Sequence, residues 1–201
     1  DIRKLLFADV VGQDEALQYV SVAVFKHRLG EQFGNLLIVG NSGTGKTTIM
    51  KALDKVYNSH AFFEKFRVMV RLNANMLAEE ENAEQKGQKL MRILEDRARA
   101  LLGGNAGEDD LREYMQNATV CIDEIDKIAN QLGGKPNVIG LSIQQSLLTL
   151  MEGETILHRT RILKDGKYAE VSFTVDTSYM LFIAGGAFET LYDQVANRVM
   201  K

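Results

Sequence analysis

Gly40-Asn41-Ser42-Gly43-Thr44-Gly45-Lys46-Thr47 satisfies the pattern G-x-x-x-x-G-K-[ST] in full. Just before it, Leu36 to Val39 is a short, wholly apolar run, as expected of a strand buried on both faces. Just after it, Thr48 to Val56 reads as a helix. Strand, glycine-rich turn and helix together are the context in which this pattern wraps a phosphate chain; a chance glycine-rich turn would lack the flanks. The glycines let the backbone close around phosphate oxygens and aim its N–H groups at them. The following helix adds its positive end. Lys46 is then expected at the β- and γ-phosphates, and the Thr47 hydroxyl on Mg²⁺. The expected ligands are ATP or ADP with Mg²⁺, cradled by Asn41, Ser42, Gly43, Thr44, Gly45, Lys46, Thr47 and Thr48.

Outward from this loop the chain alternates strand and helix patterns. Arg67 to Leu72, Thr119 to Ile122 and Tyr179 to Ala184 are further strand candidates. A helix is expected from about Asp14 to Leu29, with Leu17, Val20 and Val24 on one face. A longer one is expected over roughly Glu84 to Leu102, with Leu90, Leu94, Ala98 and Leu101 as its stripe. Ile143, Leu147, Leu150 and Met151 mark another. Such alternation predicts an α/β fold with a parallel sheet and right-handed crossovers. Two segments break it. Gly103, Gly104 and Gly107, with acidic neighbours, read as a loop before the third strand. Thr155 to Val175 alternates apolar and polar residues about Asp165-Gly166, which predicts a β-hairpin near 155–175 that projects from the body.

The third strand runs into Asp123-Glu124, the form of a Walker B motif. Alone, this would be a strand ending in a solvated acidic turn. Downstream of a phosphate loop it reads as a magnesium carboxylate, Asp123, and a general base for the attacking water, Glu124. Lys46 and Glu124 are therefore the expected catalytic residues, and Thr47 and Asp123 the expected metal residues. Asp126 and Lys127 read as an exposed charge pair, and Cys121 as a small buried hydrophobe.

Composition narrows the class. The chain has 201 residues, 45% hydrophobic and 25% charged, which suits one globular domain with a real core and excludes a disordered or fibrous chain. The single cysteine, Cys121, excludes an intrachain disulfide and a multi-cysteine zinc site. No apolar run approaches the ~18 residues of a membrane span. Net charge is −3, which argues against a broad nucleic-acid surface. His27, His60 and His158 show no metal spacing and read as structural or exposed. His158, Arg159, Arg161, Lys164 and Lys167 make the hairpin basic, a solvated face unless an acidic tag, adaptor or nucleic acid meets it. With Asp1 in first place and no leader pattern, the expectation is a segment of a cytoplasmic protein.

Several blocks resemble ClpX-type AAA+ ATPases. Val10-Val11-Gly12-Gln13-Asp14-Glu15-Ala16 with Val22-Ala23-Val24-Phe25-Lys26-His27 is similar to their adenine-side segment. Cys121-Ile122-Asp123-Glu124-Ile125-Asp126-Lys127-Ile128 is similar to their Walker B. Ser142-Ile143-Gln144-Gln145-Ser146-Leu147-Leu148 with Leu150-Met151-Glu152-Gly153, and Asp176-Thr177-Ser178 leading to Leu181-Phe182-Ile183-Ala184-Gly185-Gly186-Ala187-Phe188, follow in family order. HslU, the relative with similar blocks, carries a large inserted domain for which this chain has no room. The resemblance implies a three-layer αβα sandwich, residues 1–201 forming the large AAA+ subdomain. It implies Val11 and Gly12 near the adenine and nucleotide held between subunits of a ring, a hexamer in the full-length protein. It also implies ATP hydrolysis that drives remodelling of a protein substrate, with a protease partner left open and no membrane. The family's arginine finger, last core strand, lid domain and second sensor would lie past Lys201, and its zinc module before Asp1. The 201 residues alone are therefore expected to hydrolyse ATP weakly, and Arg198 does not match the finger.

One stretch departs from the family pattern. Where the family places an aromatic-aliphatic pair that grips substrate, Leu77 to Gly87 carries Glu79, Glu80, Glu81, Asn82 and Glu84 and no aromatic residue. A carboxylate loop repels acidic polypeptide and grips a neutral one poorly. A protein substrate held there would be basic. Two other functions stay open: a nucleotide-dependent binding or scaffold module, and a DNA-directed AAA+ regulator, neither translocating polypeptide.

Overall fold

In the computed structural model, residues 2–31, 34–77, 87–128, 131–132 and 135–189 are described. The phosphate-loop strand, β1 (Leu36–Val39), is the edge of a four-stranded parallel sheet with β2 (Met69–Asn73), β3 (Thr119–Asp123) and β8 (Leu181–Gly186). The strand order is β1-β8-β3-β2. Because all four run the same way, Val39, Asn73, Asp123 and Gly186 end at one edge of the sheet. Every residue of β8 is buried, as are the first four of β3, which accounts for the apolar runs Leu181–Ala184 and Val120–Ile122; the buried Thr119 hydroxyl is paired with the Tyr57 hydroxyl at 3.0 Å.

Alternation through the strands divides two cores. Val70, Leu72, Val120, Ile122, Phe182 and Ala184 face α4 (Gln88–Leu102), α5 (Glu108–Gln116) and α6 (Val138–Glu152). Met69, Cys121, Leu181 and Ile183 face α1 (Ile2–Phe7), α2 (Asp14–Arg28) and α3 (Lys46–Ser59). This is the expected three-layer sandwich. Cys121 is fully buried, and burial pushes its thiol well above the ordinary range, so it behaves as a hydrophobe. The predicted α4 stripe holds for Leu90, Leu94 and Ala98, all buried, while Leu101 is half-buried.

The structure corrects several readings. The acidic stretch after Gly103 and Gly104 is not all loop: Glu108–Gln116 is α5, and Glu108, Asp109 and Asp110 lie in its first turn, where they complement the helix dipole. The fourth strand starts at Leu181, because Thr177–Tyr179 forms a 3₁₀ turn whose Asp176 side chain accepts the Ser178 N–H. A short helix over Ile2–Phe7 and a 3₁₀ segment over Ala61–Phe66 carried no periodic signal. Two short strands, β4 (Gln131–Leu132) and β5 (Lys135–Pro136), pair antiparallel.

The hairpin is present as β6 (Thr155–Lys164) and β7 (Lys167–Asp176), turning at Asp165 (φ 51°) and Gly166 (φ 74°). Two successive left-handed residues match the twist of the strands. It does not project. Ile156, His158, Ile162, Phe173 and Val175 are buried against the main body, because a two-stranded ribbon with an apolar face needs a surface to cover it. His158 therefore leaves the basic face, which keeps Arg159, Arg161, Lys164 and Lys167, with Arg161 ion-paired to Glu170 at 2.8 Å. Among the described residues no helix is long and apolar enough to cross a membrane.

Candidate functional site

The site is built where β1 ends and α3 begins. Gly43 (φ 81°) and Gly45 (φ 93°) take left-handed backbone, which glycine alone adopts without strain. At Gly40 the constraint is space: an added Cβ would lie 2.8 Å from the Thr44 hydroxyl. That hydroxyl donates to the Asn41 carbonyl at 2.9 Å and tightens the loop. Gly40 N–H in turn donates to Gly186 O at 3.2 Å, tying the loop to the end of β8. Asn41, Ser42, Gly43 and Thr44 are exposed, and Thr48 is exposed on the first turn of α3. The Lys46 ammonium donates to the carbonyls of Gly40 and, at 2.9 Å, of Asn41, and so stays at the mouth of the loop.

The two acidic residues sit on the neighbouring strand end but one, across β8. Thr47 Oγ1 donates to Asp123 Oδ2 at 2.7 Å, and Glu124 N–H donates to Asp123 Oδ1 at 3.0 Å. A hydroxyl and a carboxylate thus meet at the first turn of α3. Hard oxygen donors of this kind suit Mg²⁺, which takes one or two carboxylates and completes its shell with phosphate and water. Among the described residues no group of three His, Cys, Asp or Glu side chains could form an all-protein cage. The glycine cradle, the fixed ammonium and this oxygen pair fit a magnesium nucleotide.

Glu124 has left-handed backbone (φ 55°, ψ 38°), a conformation that costs a non-glycine residue about 1–3 kcal/mol. Its exposed carboxylate is held by Asn73, whose Nδ2 donates to Oε2 at 2.6 Å. Asn73 ends β2 and is in register with Asp123. The sequence reading missed it. A polar residue closing an apolar strand next to the acidic one was the available signal. Asp126, read as an exposed charge, is half-buried and accepts the Phe188 N–H at 3.3 Å.

Gly12 (φ 75°) lines a groove of about 630 Å³ between the start of α2 and β1, with Tyr19 and Leu37 among its walls. Val11 stands at 92% exposure in the segment before it. Gln13 joins the groove to the phosphate loop, its Nε2 donating to Thr44 O at 2.7 Å. Sequence reading grouped Gln13 with the adenine-side segment and did not foresee this bond.

A family model, the AAA domain (Cdc48 subfamily), matches residues 31–200. The chain belongs to this AAA family. The ClpX resemblance extends over nearly all of the AAA chain. It is 31% identical to ClpX, the ATP-binding subunit of the ATP-dependent Clp protease, from Azotobacter vinelandii, over 99% of this chain and 45% of that protein. It is 30% identical to the same subunit from Porphyromonas gingivalis, over 99% of this chain and 47% of that protein. For Bacteroides thetaiotaomicron the figures are 30%, 99% and 47%. The chain spans about half the length of these relatives. The sequence-predicted residues of the AAA site, Asn41 to Thr48, Asp123 and Glu124, gather at one sheet edge, while Glu79 to Asn82, Glu84 and Arg198 lie outside the described residues.

Proposed function

We propose that this chain binds ATP with Mg²⁺ and hydrolyses it, as the nucleotide-binding large subdomain of a ClpX-like ring ATPase that remodels protein substrates. The observation that carries the reading is the Thr47–Asp123 hydrogen bond of 2.7 Å, beside an ammonium held at the mouth of a glycine cradle. Gly43, Gly45 and the start of α3 would bind the phosphates. Lys46 would balance their charge, and Thr47 and Asp123 would hold the metal. Bound Mg²⁺ supplies charge neutralisation at the phosphates. Glu124 would take the proton of the attacking water, oriented by Asn73. Val11 and Gly12 would border the base. A ring assembly, a hexamer in the full-length protein, and a protein substrate follow from the likeness to ClpX.

Isothermal calorimetry with ADP and Mg²⁺ tests this. Wild type is expected to bind. Lys46→Ala is expected to lose most of the affinity, because it removes the ammonium held at the mouth of the loop, where it would balance the charge of the β-phosphate. Equal affinities would reject the assignment. A second reading, nucleotide-dependent binding without translocation, is favoured by the carboxylate-rich sequence Glu79-Glu80-Glu81-Asn82.

A further inference from the structure

The hairpin meets α4 through an ionic cluster that the proposed chemistry does not use. His158 is 2% exposed, and its Nε2 donates to Glu95 Oε2 at 2.6 Å. The other carboxylate oxygen of Glu95 accepts the Thr160 hydroxyl and, at 2.6 Å, Arg99 Nε. Arg99 Nη2 reaches on to Thr160 Oγ1 at 3.1 Å and to the Arg161 carbonyl at 2.7 Å. About two turns upstream of Glu95, Gln88 Nε2 donates to Leu157 O at 2.8 Å. At Gly87 an added Cβ would lie 2.5 Å from Ile156 Cδ1. The first strand of the hairpin is therefore bonded to α4 along three turns of helix.

Apolar packing alone would hold this face without burying charge, and replacing buried ion pairs by apolar residues is often neutral or stabilising. What a directional network adds is a single register between two elements. That register matters because of where the hairpin leads. Beyond Asp176 the chain passes through Thr177, whose N–H donates to Glu154 O at 2.9 Å and whose hydroxyl donates to Leu150 O at 2.8 Å. It then becomes β8, whose last residues touch the phosphate loop. Gly186 O accepts Gly40 N–H, and a Cβ at Gly185 would lie 3.1 Å from Met50 and 3.7 Å from the Asp123 carboxylate.

We infer that Glu95, with Arg99, His158 and Thr160, is a joint that makes α4 and the hairpin one body, so that nucleotide at the phosphate loop is felt through β8 at the first turn of α4. Glu95 acts here as a positioning residue. The inference rests on the nucleotide reading given above. Its physical content is a contiguous line of short contacts from loop to β8 to hairpin to α4, with the Glu95 cluster as a charged link between the last two.

Hydrogen exchange read by mass spectrometry, with and without ADP and Mg²⁺, tests it on the full chain. In wild type, nucleotide is expected to slow exchange both at the end of β8 and over residues 88–94. Glu95→Gln is expected to bind nucleotide as wild type does and to keep the β8 response, but to lose the response in α4. Its hairpin amides should also exchange about tenfold faster, since a hydrogen bond to a charged group is weakened. His158→Gln, which keeps a donor toward Glu95, should retain the α4 response. If Glu95→Gln does not fold, Thr160→Val removes one donor at nearly constant shape and carries the same expectation. An α4 response that survives Glu95→Gln overturns the joint, as does wild type that binds nucleotide with no change in α4. Absence of binding in wild type overturns the nucleotide reading and the coupling with it, and shows in calorimetry before exchange is compared.

Discussion

Glu124 and Asn73 show how one residue's chemistry depends on another's placement. The carboxylate is exposed on a left-handed turn and accepts a hydrogen bond from the Asn73 amide. Glu124→Gln is nearly isosteric but cannot accept a proton, so nucleotide binding should persist while turnover by the full-length protein falls about 10²-fold or more. Turnover at the wild-type rate would place the base elsewhere. His27 makes a different point. Burial brings its imidazole down to about 4, against the opposing hydrogen bond to Tyr179 O. The folded state thus holds His27 neutral, while the unfolded chain takes up a proton below its ordinary value of about 6.5. Between those values the unfolded state binds more protons, so stability falls as pH falls from about 6.5 towards 4 and is unaffected by His27 above that window. The loss reaches roughly 3 kcal/mol at the lower end. Denaturant midpoints measured from pH 7 to 5 should show the slope in wild type and a flatter profile in His27→Gln; parallel profiles would exclude His27 as the source.

At the scale of elements, α4 carries two faces with different duties. Leu90, Leu94 and Ala98 are fully buried in the core under β2 and β3. Leu94→Ala should cost about 2–5 kcal/mol, the usual range for a buried leucine, and a change below 1 kcal/mol by denaturant titration would mean that the site collapses without a cavity. On the adjoining face, Glu95 stays ionised in the hairpin contact. Burial opposes its charge most strongly, but hydrogen bonds from His158, Thr160 and Arg99 together outweigh burial and bring its carboxyl to about 2. This stabilises the fold above about pH 4.5 and is lost as the pH drops through the window towards 2. The acid slope of Glu95 therefore lies below that of His27, and the two can be told apart in one titration.

At the scale of the whole molecule, a sheet edge with a nucleotide-type cradle belongs to a chain whose sequence from Leu77 to Gly87, where the ClpX resemblance implies a substrate-gripping loop, is rich in carboxylates. On the function proposed above, we expect the full-length protein to act on basic rather than on arbitrary polypeptide. Translocation needs contact between loop and substrate, and hydrated carboxylates resist apolar packing. A folded fluorescent reporter carrying neutral, acidic or basic unstructured tails provides the measurement. With ATP, fluorescence should fall only for basic tails, and added salt should suppress the loss. Loss with neutral or acidic tails would refute an electrostatic grip.

What the sequence determined by itself was local. Leu36–Val39, the eight residues that follow and the start of α3 are consecutive, so their apolar run, glycines and Lys-Thr pair announce strand, loop and helix without reference to the rest of the chain. Burial on both faces was expected of Leu36–Val39, but β1 is an outer strand and leaves Leu37 and Val39 exposed, while β3 and β8, each with a neighbour on either side, are the buried ones; Asp165-Gly166 announced a turn. The segment after Gly103 misled because acid at a helix start and acid in a loop look alike until a helix dipole is there to receive it. Only the tertiary structure decided which distant residues meet. Asn73 reaches Glu124 across 51 positions because β2 and β3 pair in register, and Glu95 reaches His158 across 63 because a half-buried hairpin must cover its apolar face somewhere. Side-chain type names the chemistry available at a position, whereas strand order and register, set by how two cores close around one sheet, choose the partner.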